Sequence, residues 1–340
     1  MFKSLEQISA LMTDLPAPDQ KAAEQARMRQ SQLVKPDGSL GRLEEIAIHL
    51  ATWQGREKPA LDKTRIIVFA GAHGVTKHGV SAYPAEVNAQ MLAGFHAGFA
   101  AICQLAKAFD ADLSAVDCGI EQPTSDFSEQ PAMAEAEFLT AFQTGFDAVR
   151  GDEDLLIFGE MGIGNTTSAA ALYAAMTNST GDIWVGRGTG VNEDGLKRKA
   201  DLIDKAIALH GTASLSPLEI LRHLGGREIA ALTGGLLAAR RNGVPVLLDG
   251  YIVTAAAMVL HRAGGQTMLE NTIAAHCSDE QAHFEALNEI GLHPLLFLDM
   301  RLGEASGAAA ALGLVKAAVA CHNGMATFAE AAVSGPSDPA

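Results

Sequence analysis

The spacing of apolar residues changes character once along the chain, near residue 60. Before it, apolar positions recur at helical intervals within polar stretches. About 4–33 reads as two polar helices broken at Asp14-Leu15-Pro16-Ala17-Pro18, because proline removes a donor and clashes with the preceding turn. The loop Lys35-Pro36-Asp37-Gly38-Ser39-Leu40-Gly41 follows, then a helix over 42–53, and no strand is predicted in this front part. From Thr64 onward, short β-branched or apolar runs ending in Gly or Asp alternate with helical stretches. The runs are 65–70, 113–116, 155–158, 183–185, 244–248 and 295–298. Runs that are apolar throughout, and separated by helices, belong to a parallel sheet covered on both faces.

The pattern therefore predicts an α/β fold: a doubly wound, mostly parallel, Rossmann-like sheet of about six strands. Residues 1–60 are expected to form a small helical domain, completed by a C-terminal helix over about 306–332. Residues 61–305 are expected to form the α/β catalytic domain. The polar stretch 121–137 reads as a loop or excursion, and the tail 334–340 as frayed.

Composition fits this reading. Hydrophobic residues make up 48% of 340 residues, with 34 glycines and only 5% aromatics, which suits alanine-rich helices packed closely on a sheet. The net charge of −15 argues against a nucleic-acid surface and against adhesion to anionic membranes, but leaves room for a local basic pocket. The four cysteines are widely spaced with no CxxC, so they are read as reduced thiols. Met1-Phe2-Lys3-Ser4 leads into a polar helix and no run of about 18 apolar residues occurs, so a cytoplasmic protein is expected.

Several loops carry candidate chemistry. The segment 155–168 is a strand, the turn Gly159-Glu160-Met161-Gly162-Ile163-Gly164, then Asn165-Thr166-Thr167-Ser168 opening an alanine helix. Glycines admit an anion close to backbone N–H groups, and the helix N-terminus favours negative charge. It is neither GxGxxG nor a Walker loop, and for the motif in isolation a tight turn with a hydroxyl cap is the commoner explanation. Ile183-Trp184-Val185-Gly186-Arg187-Gly188-Thr189-Gly190 repeats the device. The helix after it carries Lys197, Arg198 and Lys199, of which one can serve as countercharge while two form a solvated face. Phe69-Ala70-Gly71-Ala72-His73-Gly74-Val75 and Gly79-Val80-Ser81-Ala82-Tyr83-Pro84 suit a planar apolar ligand, or simply turns. Asp249, at a strand end, is expected to bond neighbouring backbone, with contact to a sugar hydroxyl as the alternative. His73, His78, His276 and His283 match no zinc spacing and are read as non-ligands. Arg301-Leu302-Gly303-Glu304-Ala305-Ser306-Gly307 places a carboxylate at a strand-to-helix turn, where a sheet of this kind opens its ligand crevice.

Together with Gly38-Ser39-Leu40-Gly41-Arg42-Leu43-Glu44, Gly225-Gly226-Arg227-Glu228 and Leu248-Asp249-Gly250, these motifs run in order through nearly the whole chain. In that order they resemble the nicotinate-nucleotide–dimethylbenzimidazole phosphoribosyltransferase family. The resemblance implies transfer of phosphoribose from nicotinate mononucleotide to dimethylbenzimidazole, giving α-ribazole phosphate and nicotinate with inversion at the anomeric carbon. It implies Glu304 as general base and Glu160 as a second catalytic carboxylate. Ser81, Tyr83, Gln90 and Leu302 would bind the acceptor base; Gly162, Gly164, Asn165, Thr166, Gly188 and Lys199 would bind phosphate and ribose. No cofactor and no metal are expected, since the paired acids that hold magnesium pyrophosphate are missing from the strand-end loops. The partners implied are the two small substrates and a second copy in a homodimer. Ala72 stands where many relatives carry Asp, and Ala305-Ser306 where Gly-Thr or Gly-Ser is usual. A non-catalytic nucleotide-binding protein would keep the glycine loops without needing Glu304, and an enzyme of the same fold acting on another purine-like base stays open.

Overall fold

The computed structural model describes residues 1–188 and 190–335. Thr189, in the second glycine loop, and 336–340, most of the tail expected to fray, lie outside it. Among the described residues the main sheet has five strands: β1 (Thr64–Ala70), β2 (Asp112–Asp117), β3 (Leu155–Met161), β4 (Val246–Leu248) and β5 (Thr272–Ala274). All neighbours pair in parallel, in the order β2-β1-β3-β4-β5.

The pleat divides the apolar runs between two cores, since successive side chains point to opposite faces. Ile67, Phe69, Leu156, Phe158, Val246 and Leu248 join helices Glu135–Asp147, Asn165–Thr177, Arg227–Asn242 and Tyr251–Gly264. Ile66, Val68, Ala70, Leu155, Ile157 and Leu247 join helices Arg42–Gln54, Ala101–Ala108 and Ser306–Gly324. This is the doubly wound arrangement expected, and each large aliphatic side chain so buried contributes about 1.5–3 kcal/mol.

Three strand expectations are corrected. The run 183–185 is no strand: Gly181–Trp184 is one helical turn. Its Trp184 ring stacks on Tyr173 at 4.8 Å, its Nε1 donates to Ser179 Oγ at 2.7 Å, and its carbonyl accepts from Tyr251 Oη at 2.6 Å. A three-residue apolar run has too little length for periodicity to decide its type. The run near 295–298 supplies only Leu296–Phe297, here β7, which pairs with β6 (His276–Cys277) in a separate two-stranded sheet. Strand β5 has one large apolar residue, Ile273, and left no readable run.

The second helix and the last long helix meet beside the second core. Arg29, on helix Gln20–Gln32, donates to the carbonyls of His322, Asn323 and Met325 at 2.7, 3.1 and 3.1 Å, capping the end of helix Ser306–Gly324. The first helix, Leu5–Ala10, lies on the opposite face, where Phe2 meets Phe142 and Phe146 edge-on. The apolar stretch Val87–Ala108 has the length and hydropathy of a membrane span, but it is two helices, Val87–Ala97 and Ala101–Ala108, broken at Gly98.

β1 lies between β2 and β3, so the chain crosses from it to β2 on one side and then back to β3 on the other. The loops that leave β1 and β3 therefore head in opposite directions, and the crevice of an open α/β sheet forms there. The two loops that leave this point are tied together by Gly71 N–H donating to the Met161 carbonyl at 2.8 Å.

Candidate active site

Glu160 is the penultimate residue of β3 and points into the crevice from a strand buried on both sides. Asn165, the first residue of the helix that follows, donates its amide to Glu160 Oε2, so helix start and strand end are locked together. Burial pushes the Glu160 carboxyl up to about 8, helped by the charges of Glu228, Asp249 and Glu304 and opposed by the Asn165 bond. Near neutral pH it is thus mainly a neutral acid.

The glycine turn between them, Gly162-Ile163-Gly164, is held by Asn88, whose Oδ1 accepts from Ile163 N–H at 2.8 Å. Gly164 caps the helix with φ of 91°, a conformation that costs other L-residues about 1–2 kcal/mol. Thr166 Oγ1 receives a bond from Lys199 Nζ at 3.0 Å, and the same Nζ donates to the Gly186 carbonyl at 3.2 Å. Lys199 therefore joins the first glycine loop to the second, although the second follows no strand. Gly188 lies in the same corner, because a Cβ there would stand 3.2 Å from Thr166 Oγ1 and 3.5 Å from Lys199 Nζ. Burial brings the Lys199 ammonium down to about 8, partly offset by Glu280. Lys197 and Arg198 are exposed, as two of the three basic residues were expected to be.

Glu304 follows Gly303 and precedes Ala305, and all three have positive φ, at 80°, 60° and 67°. Two non-glycine residues in succession in the left-handed region are strained, and such strain concentrates at functional sites. The turn is held from three sides. Ser306 N–H donates to the Gly303 carbonyl at 2.9 Å. Asp249 Oδ2 accepts from Ala305 N–H at 3.1 Å and Oδ1 from Ala308 N–H at 2.8 Å, so Asp249 caps helix Ser306–Gly324 from another strand end. Arg301 Nη1 donates to the Gly188 carbonyl at 2.9 Å, linking this turn to the Lys199 corner. The position of Ala305 explains why glycine suits it: φ of 67° favours a residue without Cβ.

Glu304 is 5% exposed and makes no side-chain hydrogen bond among the described residues. Burial, with the Asp249 charge behind it, pushes its carboxyl up to about 7. Glu160 Oε1 faces the same turn, since a Cβ on Gly303 would come within 2.4 Å of it. Two buried carboxyls with raised proton affinities thus lie beside Gly303, next to a cationic corner.

The remaining expected residues lie on the surface beside this centre. Ser81 is half-buried and accepts Tyr83 N–H at 3.2 Å; Tyr83, Gln90 and Leu302 are exposed. The loop of Ser81 and Tyr83 is tied to the helix of Lys199 by Arg198 Nη1, which donates to the Gly79 carbonyl at 3.1 Å. His73 and Glu228, to which no role was assigned from sequence, are buried at the crevice floor, 2.5 Å apart. The signals for them were the glycines at 71, 74, 225 and 226, which mark close approach. The Asp249 clamp behaves as expected for a strand-end carboxylate.

Among the described residues, His78, Asp126 and Glu129 form a group with metal-ligand spacing. Lys77 Nζ already occupies it, 3.0 Å from Asp126 and 2.9 Å from Glu129. His276 and His283 are not brought together as ligands: His283 accepts Ser278 N–H at 2.8 Å through Nδ1, and burial holds it at about 3.

The model of a phosphoribosyltransferase family matches residues 15–333. The chain is 53% identical over 333 residues to the nicotinate-nucleotide–dimethylbenzimidazole phosphoribosyltransferase of Mesorhizobium japonicum, covering 98% of this chain and 99% of that one. It is 51% identical to the protein of the same name from Methylocella silvestris, covering 97% of each. A crystal structure of the Thermus thermophilus enzyme of that name superposes with a TM-score of 0.86 at 39% identity, covering 94% of this chain and 100% of that one.

Proposed function

The chain belongs to the nicotinate-nucleotide–dimethylbenzimidazole phosphoribosyltransferase family, and on that premise we propose that it moves phosphoribose from nicotinate mononucleotide to dimethylbenzimidazole by direct displacement, with Glu304 as general base. The observation that carries the base assignment is a buried carboxylate without a hydrogen-bond partner among the described residues, pushed up to about 7, beside a lysine-bearing anion corner. A base is most effective when its pKa lies near the working pH.

The donor's phosphate takes the corner formed by Gly162, Gly164, Asn165, Thr166, Gly188 and Lys199. One nitrogen of the benzimidazole attacks the anomeric carbon as the bond to the pyridinium nitrogen breaks. That electron pair returns to nicotinate, so the leaving group needs no acid. The transition state has oxocarbenium character, as in other glycosyl transfers. The second benzimidazole nitrogen gives its proton to Glu304. A single displacement turns the β-nucleotide into the α-riboside. Glu160 orients the ribose. The pyridinium charge lowers the proton affinity of both carboxyls on binding, and its disappearance raises that affinity as the proton must be taken up.

Ser81, Tyr83, Gln90 and Leu302 receive the acceptor, and each is accessible in the single chain. A homodimer in the cytoplasm is the form proposed. Exposed Phe284, Phe297 and Leu298 supply an apolar patch for a second copy. No metal takes part in the reaction as written.

The test is direct. Purified protein in EDTA, given nicotinate mononucleotide and dimethylbenzimidazole, should release nicotinate and form α-ribazole phosphate, separated by chromatography. Glu304→Gln should lose about 10²–10⁴-fold in turnover while still binding the nucleotide. Near-normal turnover in that variant removes Glu304 from the base role, and release only with Mg²⁺ removes the metal-free mechanism.

A further inference from the structure

Three glycines from three different loops surround one carboxylate that the reaction does not use. A Cβ on Gly71 would stand 2.1 Å from Glu228 Oε2, one on Gly226 2.8 Å from the same oxygen, and one on Gly162 2.9 Å from Glu228 Oε1. Glu228 is fully buried in the first turn of helix Arg227–Asn242. Its Oε1 is 2.5 Å from His73 Nε2, and His73 Nδ1 is 3.0 Å from Ser168 Oγ on the helix that follows the β3 glycine turn. Its Oε2 has no hydrogen-bond partner among the described residues. With His73 donating from Nε2 and accepting the Ser168 hydroxyl at Nδ1, the polar atoms of this His73–Glu228–Ser168 chain are bonded except for that oxygen. Arg227, adjacent in sequence, does not compensate it, because its guanidinium bonds the Gly119 and Gln122 carbonyls and Glu137.

A buried carboxylate left half-bonded costs several kcal/mol, more than a neutral amide of the same shape would. The charge therefore has a use. Gly162 shows where: a Cβ there would meet Glu228 Oε1, His73 Nε2 at 3.2 Å and Asn165 Nδ2 at 3.2 Å, and Asn165 is the residue that holds Glu160. We propose that the His73–Glu228 pair is a positioning device for the reacting centre, fixing the Gly162–Asn165 turn and, through its negative charge, the proton on Glu160. This rests on the phosphoribosyl-transfer reading.

The groups facing Glu160 are Glu228, Asp249, Glu304 and the Asn165 amide, and after burial the Glu228 charge is the largest influence that keeps Glu160 protonated. Those facing Glu228 are His73 and the Cys118 thiol, whose pKa is raised first by burial and then by the Glu228 charge. A protonated Glu160 can donate a hydrogen bond to a ribose or phosphate oxygen, which a carboxylate beside the same oxygen would repel. The ligand class recognised is the oxygen-rich sugar phosphate of the donor.

The experiment is a titration of the intact protein labelled with ¹³C at the Glu side-chain carboxyl. The Glu160 signal is identified by its loss in Glu160→Gln. In the unaltered protein the midpoint should lie well above the ordinary carboxylate range. In Glu228→Gln it should fall by about one pH unit or more. Glu228→Asp, which keeps the charge, should restore it. Turnover of Glu228→Gln should fall by up to about 10²-fold, with the KM for nicotinate mononucleotide changed far less. An unshifted midpoint in a folded Glu228→Gln variant overturns the proposal. An ordinary midpoint in the unaltered protein does so too, and that measurement needs no tolerance of substitution at 228. If the midpoint shifts but no variant or parent forms α-ribazole phosphate, the charge coupling stands and the functional reading fails. Transfer with an unmoved midpoint has the opposite meaning.

Discussion

Glu160→Gln should make the protein more stable in alkali and leave its stability unchanged in acid. In the folded chain the Glu160 carboxyl holds its proton up to about 8, against 4.5 for the unburied group. Below the lower value both folded and unfolded states are protonated, and the residue contributes its full stability. As pH rises between the two values, the unfolded state releases the proton and the folded state keeps it, so stability is lost progressively. Above about 8 the loss is complete and constant. One pKa unit corresponds to about 1.4 kcal/mol, which sets a ceiling of about 5 kcal/mol for this separation. Water entry and relaxation around the ionised group reduce it, so a gain of about 2 kcal/mol at pH about 9 is expected. Gln keeps an oxygen for the Asn165 amide and has nearly the same volume, so no cavity confuses the comparison, and its added N–H groups act equally at every pH. Urea unfolding followed by the fluorescence of Trp53 and Trp184, at a series of pH values, measures it. Equal or lower stability of the variant at pH about 9, or an advantage that persists undiminished to pH about 4, refutes the reasoning. The same variant should be a poor catalyst, as expected where stability is surrendered for function.

The acid limb of kcat/KM should rise through pH about 7, because burial and Asp249 set Glu304 there, and Glu304→Gln should lose that limb; a profile flat from 5 to 9 in the unaltered protein counts against it. Asp249→Ala should cost about 3 kcal/mol in urea unfolding, since the Ala305 and Ala308 N–H groups lose a buried acceptor, and a cost below about 1 kcal/mol would show that water replaces it. Lys199→Met should raise the KM for nicotinate mononucleotide by about 10–100-fold, the value of a lost charge-assisted hydrogen bond, with little effect on dimethylbenzimidazole; equal weakening of both would place the phosphate elsewhere.

The linear sequence was enough for the layers of this fold and for several of its key turns. Runs 65–70, 113–116 and 155–158 became β1, β2 and β3 because long apolar stretches bounded by polar turns have no other economical use than a sheet covered on both faces. The glycine turn at 162–164 and the strained turn at Glu304 were legible because Gly and acidic residues stand where a helix begins. The ordered run of motifs carried the family. Short runs were not decidable locally. Ile183-Trp184-Val185 serves the aromatic contact with Tyr173, and Thr272-Ile273-Ala274 is a strand only because β4 offers it a register. Nor could spacing show that Lys199, far along the chain, bonds both glycine loops, or that Asp249 caps the helix of Glu304. Glu228 was visible as one carboxylate among forty acidic residues. Its burial, its His73 partner and its influence on Glu160 depend on three chain segments meeting at the point where the loops after β1 and β3 diverge, and proton affinity is a property of that enclosure rather than of the residue.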